Sequence, residues 1–157
     1  VSDQNISKTV SNFRGLPHRL EYIGEFKGIK FYDDAISTAP ESTIEAIKAL
    51  PETDTIFLGG EDRGYNFREL EKTIRKSDIE NIVLFPETGR RILKAKKGFK
   101  ILETNSIEEA VDFAFRNTRK GKICLLSTAS PSYSLWKNFE EKGDLFKKFV
   151  TKYGKRR

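Results

Sequence analysis

Residues 29–60, IKFYDDAISTAPESTIEAIKALPETDTIFLGG, read as strand, polar loop, helix and strand in succession. The apolar run at 29–33 ends in two adjacent carboxylates, Asp33 and Asp34. Pro40 and Glu41 then open a helix, a position that suits proline because the first helical N–H has no intrahelical partner anyway. The next strand, TDTIFLGG, is largely apolar and ends in two glycines. A strand, an amphipathic helix and a buried strand in that order describe a parallel crossover with both sheet faces covered.

The same alternation continues in both directions. Upstream, RLEYIGEFKGIKFYDD reads as an antiparallel hairpin turning at Lys27-Gly28. Downstream, NFRELEKTIRKS reads as a helix, IENIVLFPE as a strand, TGRRILKAKK as a helix and FKILET as a strand. SIEEAVDFAFRNT is a helix with Ser106 and Glu109 spaced as a capping box. GKICLLST is the last apolar strand, and SLWKNFEEKGDLFKKFVTKYG is largely helical. The expected fold is a three-layer, Rossmann-like α/β domain. It has a mostly parallel sheet flanked by helices and one antiparallel hairpin strand near the N-terminus. Residues 1–19, in which ISKTVSNF has short helical spacing, read as a lead-in, and 20–157 as the domain.

Composition narrows the classes. The 157 residues suit one domain with a hydrophobic core. No apolar run approaches the roughly 18 residues of a membrane span, and the N-terminus lacks the pattern of a signal peptide. Cys124 is the only cysteine, so no intrachain disulfide or thiol cluster is possible, and a reducing, cytoplasmic setting is expected. The net charge of +6 is uneven: residues 1–60 carry 6 Lys/Arg against 9 Asp/Glu, and the basic excess lies in the later helices and the tail. That suits an anionic partner or simply solubility. No helix-turn-helix, zinc-finger or RNA-binding signature is present, so no nucleic-acid partner is expected.

Ligands of parallel sheets bind outside the carboxyl ends of the strands. Here those exits are DDAIST, GGEDRG, FPETG and STASPS, all polar or glycine-rich. At the first, Asp34 suits a ribose hydroxyl or an ammonium group, and Ser37 and Thr38 suit a carboxylate or phosphate. The structural alternative is that one of these side chains caps the helix at Pro40. At the second, paired glycines permit close backbone approach and Arg63 suits a bidentate carboxylate contact; the alternative is a glycine turn with a solvated arginine. At the last, hydroxyls before a helix suit an anion, or form an ordinary capped turn. Trp136 and Phe139 read first as core. His18 has no nucleophile elbow to serve.

In combination these stretches resemble a known family. FRGLPHRLE, GIKFYDDAISTAPESTIEAI, LGGEDRG and LLSTASPSYSLWKNFEEKGDLF are similar to the C-terminal domain of the Mur ligases, from about Phe13 to Gly154. Within that family they resemble the branch that joins glutamate to UDP-N-acetylmuramoyl-alanine in peptidoglycan synthesis. The resemblance implies an ATP-dependent ligase that makes an acyl phosphate, which the amino acid's amine then attacks. It implies that Arg19 reaches the ATP phosphates and that Asp34 meets the nucleotide. Thr38, Ser132, Tyr133 and Phe139 would line the glutamate pocket, and Arg63 stands where a lysine is usual.

Two departures bear on substrate identity. The family pattern after the aspartate is Ser-Lys-Ala-Thr, whereas this chain has Ala35-Ile36-Ser37-Thr38. Arg63 keeps the usual charge but not the geometry of lysine. A sub-branch adding L-glutamate in place of D-glutamate is the alternative within the family. A stand-alone nucleotide- or anion-binding module is the alternative outside it. The chain carries no GxxxxGK[ST] phosphate loop. ATP and Mg2+ are therefore expected to be held mainly by a central domain absent from this chain. The fragment alone is expected to be inactive and monomeric.

Overall fold

The computed structural model describes residues 15–94 and 97–156. It contains six strands: β1 (Glu21–Phe26), β2 (Ile29–Asp33), β3 (Thr53–Gly59), β4 (Asn81–Phe85), β5 (Lys100–Glu103) and β6 (Ile123–Leu126). The helices are α1 (Pro40–Ala49), α2 (Arg68–Lys76), α3 (Gly89–Ile92), α4 (Ile107–Asn117) and α5 (Phe139–Gly154). The sheet order is β1-β2-β6-β3-β4-β5, parallel throughout except for the antiparallel β1–β2 pair. The three-layer α/β expectation is met. None of the helices is long and apolar enough to cross a membrane.

The two sheet faces carry separate cores because side chains alternate along a strand. Phe31, Phe57, Val83, Phe85, Cys124 and Leu126 pack beneath α4 and α5. Ile56, Leu58, Ile82, Leu84, Ile123 and Leu125 pack beneath α1 and α2. β3 is buried at all seven positions, as a strand covered on both faces should be. Cys124 is fully buried, and burial pushes its thiol well above the usual range, so it serves as core.

The hairpin turns where Lys27 and Gly28 both have positive φ, 53° and 81°, the conformation that a tight two-residue turn requires. Ser106 accepts from the Glu109 amide, as expected of an N-cap. Its capping box is only half made, because the Glu109 carboxylate takes the Thr104 hydroxyl instead.

Two segments differ from their reading. The expected helix TGRRILKAKK is a single turn, Gly89–Ile92, with residues 95–96 outside the described part. The last helix begins only at Phe139, where Asn138 caps it by accepting from the Glu141 amide. The SYSLWKN run before it is turn structure that packs Trp136 into the core. The short helical spacing read in ISKTVSNF lies outside the described residues.

Candidate functional site

The parallel strands deliver β2, β3, β4 and β6 exits to one edge of the sheet. Asp33 and Asp34 sit together there without facing each other. Asp33 accepts from His18 Nδ1 at 2.8 Å and from the Ala35 amide at 2.9 Å. Asp34 accepts from the Leu20 amide at 3.2 Å and from Ser127 Oγ at 2.8 Å. Ser127 has spent its proton on Asp34, so the Thr43 hydroxyl, 2.9 Å away, donates to Ser127 in turn. Both carboxyls lie above the usual range, first because they are buried. For Asp34, hydrogen bonds from Ser37, Ser127 and Leu20 oppose the rise, while the charge of Asp33 adds to it.

Asp33 is therefore a fold residue. It fixes the turn after β2 and holds His18, whose ring packs edge-on against Phe139 at 5.9 Å. Asp34 is mostly engaged as well. Its three donors leave about one of a carboxylate's roughly four lone-pair sites for a ligand. It lines a cleft of about 440 Å3 with Arg19, Leu20, Ile36, Ser37 and Glu45. Arg19 is exposed there.

The capping alternative for the DDAIST hydroxyls does not hold. The residue at the N-cap of α1 is Ala39, and no side chain caps that helix. Ser37 is instead buried and bonded to Asp34, whereas Thr38 is half-buried at the exit.

The paired glycines work differently from the expectation. A Cβ on Gly59 would stand 2.2 Å from the Phe85 carbonyl, and one on Gly60 2.1 Å from the Pro131 carbonyl. Close approach is thus made to neighbouring strand exits. The Gly60 carbonyl accepts from the Glu87 and Thr88 amides, and the Glu61 amide donates to Pro131. The exits of β3, β4 and β6 are stitched into one floor.

Of the expected pocket residues, Ser132 is buried within this floor and Phe139 half-buried beside it. Tyr133 is 56% exposed and Arg63 is exposed at the rim, paired with Glu61 at 2.7 Å. Only Nη2 is engaged by Glu61, so the other guanidinium N–H groups of Arg63 remain available to a carboxylate.

One residue escaped the sequence reading. Lys142, in the second turn of α5, is fully buried and donates to Thr128 Oγ1 at 2.7 Å and Ser132 Oγ at 2.8 Å. Burial lowers its pKa to about 7, against the pull of Asp33 and Asp34. The available signal was its register: Phe139, Lys142, Phe146 and Val150 lie on one helical stripe, and all but Lys142 are apolar.

Residues 18–130 match the family model described as Mur ligase, glutamate ligase domain. The chain belongs to the Mur ligase family. A curated relative from Caldanaerobacter subterraneus, UDP-N-acetylmuramoylalanine--D-glutamate ligase, is 39% identical over 92% of this chain. That alignment covers 33% of the relative, so the chain spans about a third of the length of such Mur ligases. Among solved structures, MurF from Acinetobacter baumannii gives a TM-score of 0.66 at 16% identity, covering 96% of this chain and 34% of that one. A MurF ligase from Thermotoga maritima in complex with ADP gives 0.63 at 18%, covering 95% and 37%. At these identities the likeness concerns the Mur ligase fold.

Arg19 offers an exposed cation, and Asp34 a remaining acceptor, on one cleft. His18, Glu21 and Asp33 bring potential ligand atoms within 4.8 Å of one another. However, the Lys147 ammonium already sits 2.7 Å from Glu21 and 3.8 Å from Asp33. That cluster does not fit Mg2+.

Proposed function

We propose that this chain is the C-terminal domain of an ATP-dependent ligase that adds D-glutamate to UDP-N-acetylmuramoyl-L-alanine in the cytoplasm. The observation that carries the reading is Ser132, a hydroxyl held by a buried ammonium at the sheet's ligand edge. The 39% identity to a D-glutamate ligase supports the choice of substrate. Thr38, Ser132, Tyr133, Phe139 and Arg63 bind the incoming glutamate, with hydroxyls and a cation for its carboxylates. Arg19 neutralises phosphate charge as the domain closes over ATP, and Asp34 meets the nucleotide. ATP, with Mg2+, supplies the phosphoryl group that activates the precursor's carboxylate, and the glutamate amine displaces phosphate from the acyl phosphate. The phosphate-binding and metal-binding machinery belongs to the rest of the enzyme, and this domain alone does not turn over.

Ile36 favours a second reading. An apolar residue replaces a lysine of the usual pattern beside the pocket, which suits a changed stereochemical choice and thus L-glutamate. Phosphate release by the ligase comprising this chain and its upstream domains separates the two. With ATP, Mg2+ and UDP-N-acetylmuramoyl-L-alanine, turnover on D-glutamate alone is expected. Turnover on L-glutamate alone would reverse the stereochemical assignment, and turnover on neither would overturn the reading.

A further inference from the structure

We propose that Lys142 is a positioning residue for the incoming amino acid: its ammonium occupies a lone pair of Ser132 Oγ and turns the Ser132 proton outward toward a substrate carboxylate. This rests on the glutamate reading above. Lys142 itself has no exposed surface and touches the ligand only through Ser132.

An ammonium donates and never accepts, so both hydroxyls facing it must accept. Thr128 can pass its own proton inward, to the Ser130 carbonyl at 3.1 Å or the Ser37 carbonyl at 3.3 Å. Ser132 has no such outlet. Among the described residues its hydroxyl contacts only Lys142. Its proton therefore remains for a ligand, and the adjacent positive charge makes that proton a stronger donor. The recipients of the ammonium are two neutral hydroxyls, and only that of Ser132 has no inward acceptor for its own proton.

The arrangement responds to pH. Asp33 and Asp34 face Lys142 from the β2 exit, and His18 lies against the adjoining Gly143. Burial lowers the Lys142 pKa to about 7. A neutral amine can accept, so loss of the ammonium proton lets Ser132 turn its own proton inward.

The test uses the intact ligase with glutamate as the varied substrate. Lys142→Met should raise the KM for glutamate about tenfold or more, as loss of a charge-assisted hydrogen bond would, with the KM for ATP within about twofold. Ser132→Ala should do the same, and the double variant should be no worse than the worse single one. Lys142→Arg should recover part of the loss. Multiplying effects in the double variant, or equal shifts for ATP and glutamate, would overturn the proposal. If Lys142→Met gives no cooperative melt, the unmutated enzyme decides. Its KM for glutamate should climb between about pH 6 and pH 8, and the climb should vanish in Ser132→Ala. A climb that persists in Ser132→Ala, or a KM for glutamate that Ser132→Ala leaves unchanged, overturns it. A ligase that ignores glutamate altogether refutes the substrate reading before any variant is made, and this inference with it.

Discussion

His18 Nδ1 and Asp33 Oδ2 meet at 2.8 Å directly beneath Gly143, where a Cβ would stand 2.1 Å from the one and 2.6 Å from the other. Gly143 thus leaves room for the pair below it. Gly→Ala inside a helix ordinarily stabilises by up to about 1 kcal/mol. Here overpacking should dominate, and Gly143→Ala should lower stability by about 1–3 kcal/mol in denaturant unfolding. A gain in stability would show that the helix can lift off the pair at little cost.

Asp34 calls for two variants. Asp34→Ala removes the acceptor of the Leu20 amide and of two serine hydroxyls, so it should destabilise the domain by about 1–3 kcal/mol as well as impair ligation. Asp34→Asn keeps one oxygen and should melt closer to the unmutated protein while still losing turnover. Equal turnover in Asp34→Asn and the parent would remove Asp34 from nucleotide binding.

Arg19 is the opposite case, because it is exposed. Arg19→Ala should change stability by no more than about 0.5 kcal/mol. In the intact ligase it should reduce turnover on the order of 100-fold or more, as loss of a phosphate-facing donor does. Near-normal turnover would take Arg19 out of the site.

Lys142 gives stability a pH dependence of definite sign. Its folded pKa is lowered from 10.5 to about 7. Between those values the unfolded chain holds a proton that the native state has lost, so stability rises with pH through that window. Below it both states are charged and the burial penalty is complete. Thermal melts of Lys142→Met and the parent should therefore differ in a pH-dependent way. The variant's stability relative to the parent should be greatest near pH 6 and should fall by about pH 9. A constant difference would mean that Lys142 keeps its proton in the folded protein.

The sequence carried the architecture because each element was locally consistent. The alternation of period-2 and period-3.6 patterns around Pro40, Ser106 and Lys27-Gly28 left few other topologies. It misjudged TGRRILKAKK, where basic residues with high helix propensity follow only one turn that packs. It carried the candidate site only as far as single segments could. That Asp33 is spoken for by His18, 15 residues away, and Ser132 by Lys142, 10 residues away, depends on how the turns between them fold. Ser127 reaches Asp34 across 93 positions, and no local spacing encodes such a bond.

The place of β6 has a consequence for how the chain comes off the ribosome. β6 is the last of the described strands to be made, yet it lies between β2 and β3. Until residue 126 has emerged, the nascent polypeptide holds two unjoined pieces, the β1–β2 hairpin and the β3–β4–β5 sheet, each with an unpaired edge. The hairpin side carries Asp34 and the other piece carries Gly60, so the floor of strand exits that β6 joins is the last part to form. Such late, long-range closure favours slow folding and leaves strand edges open to association in the meantime. A translation product stopped before β6 should be recovered as aggregate or degraded chain, with no cooperative melt.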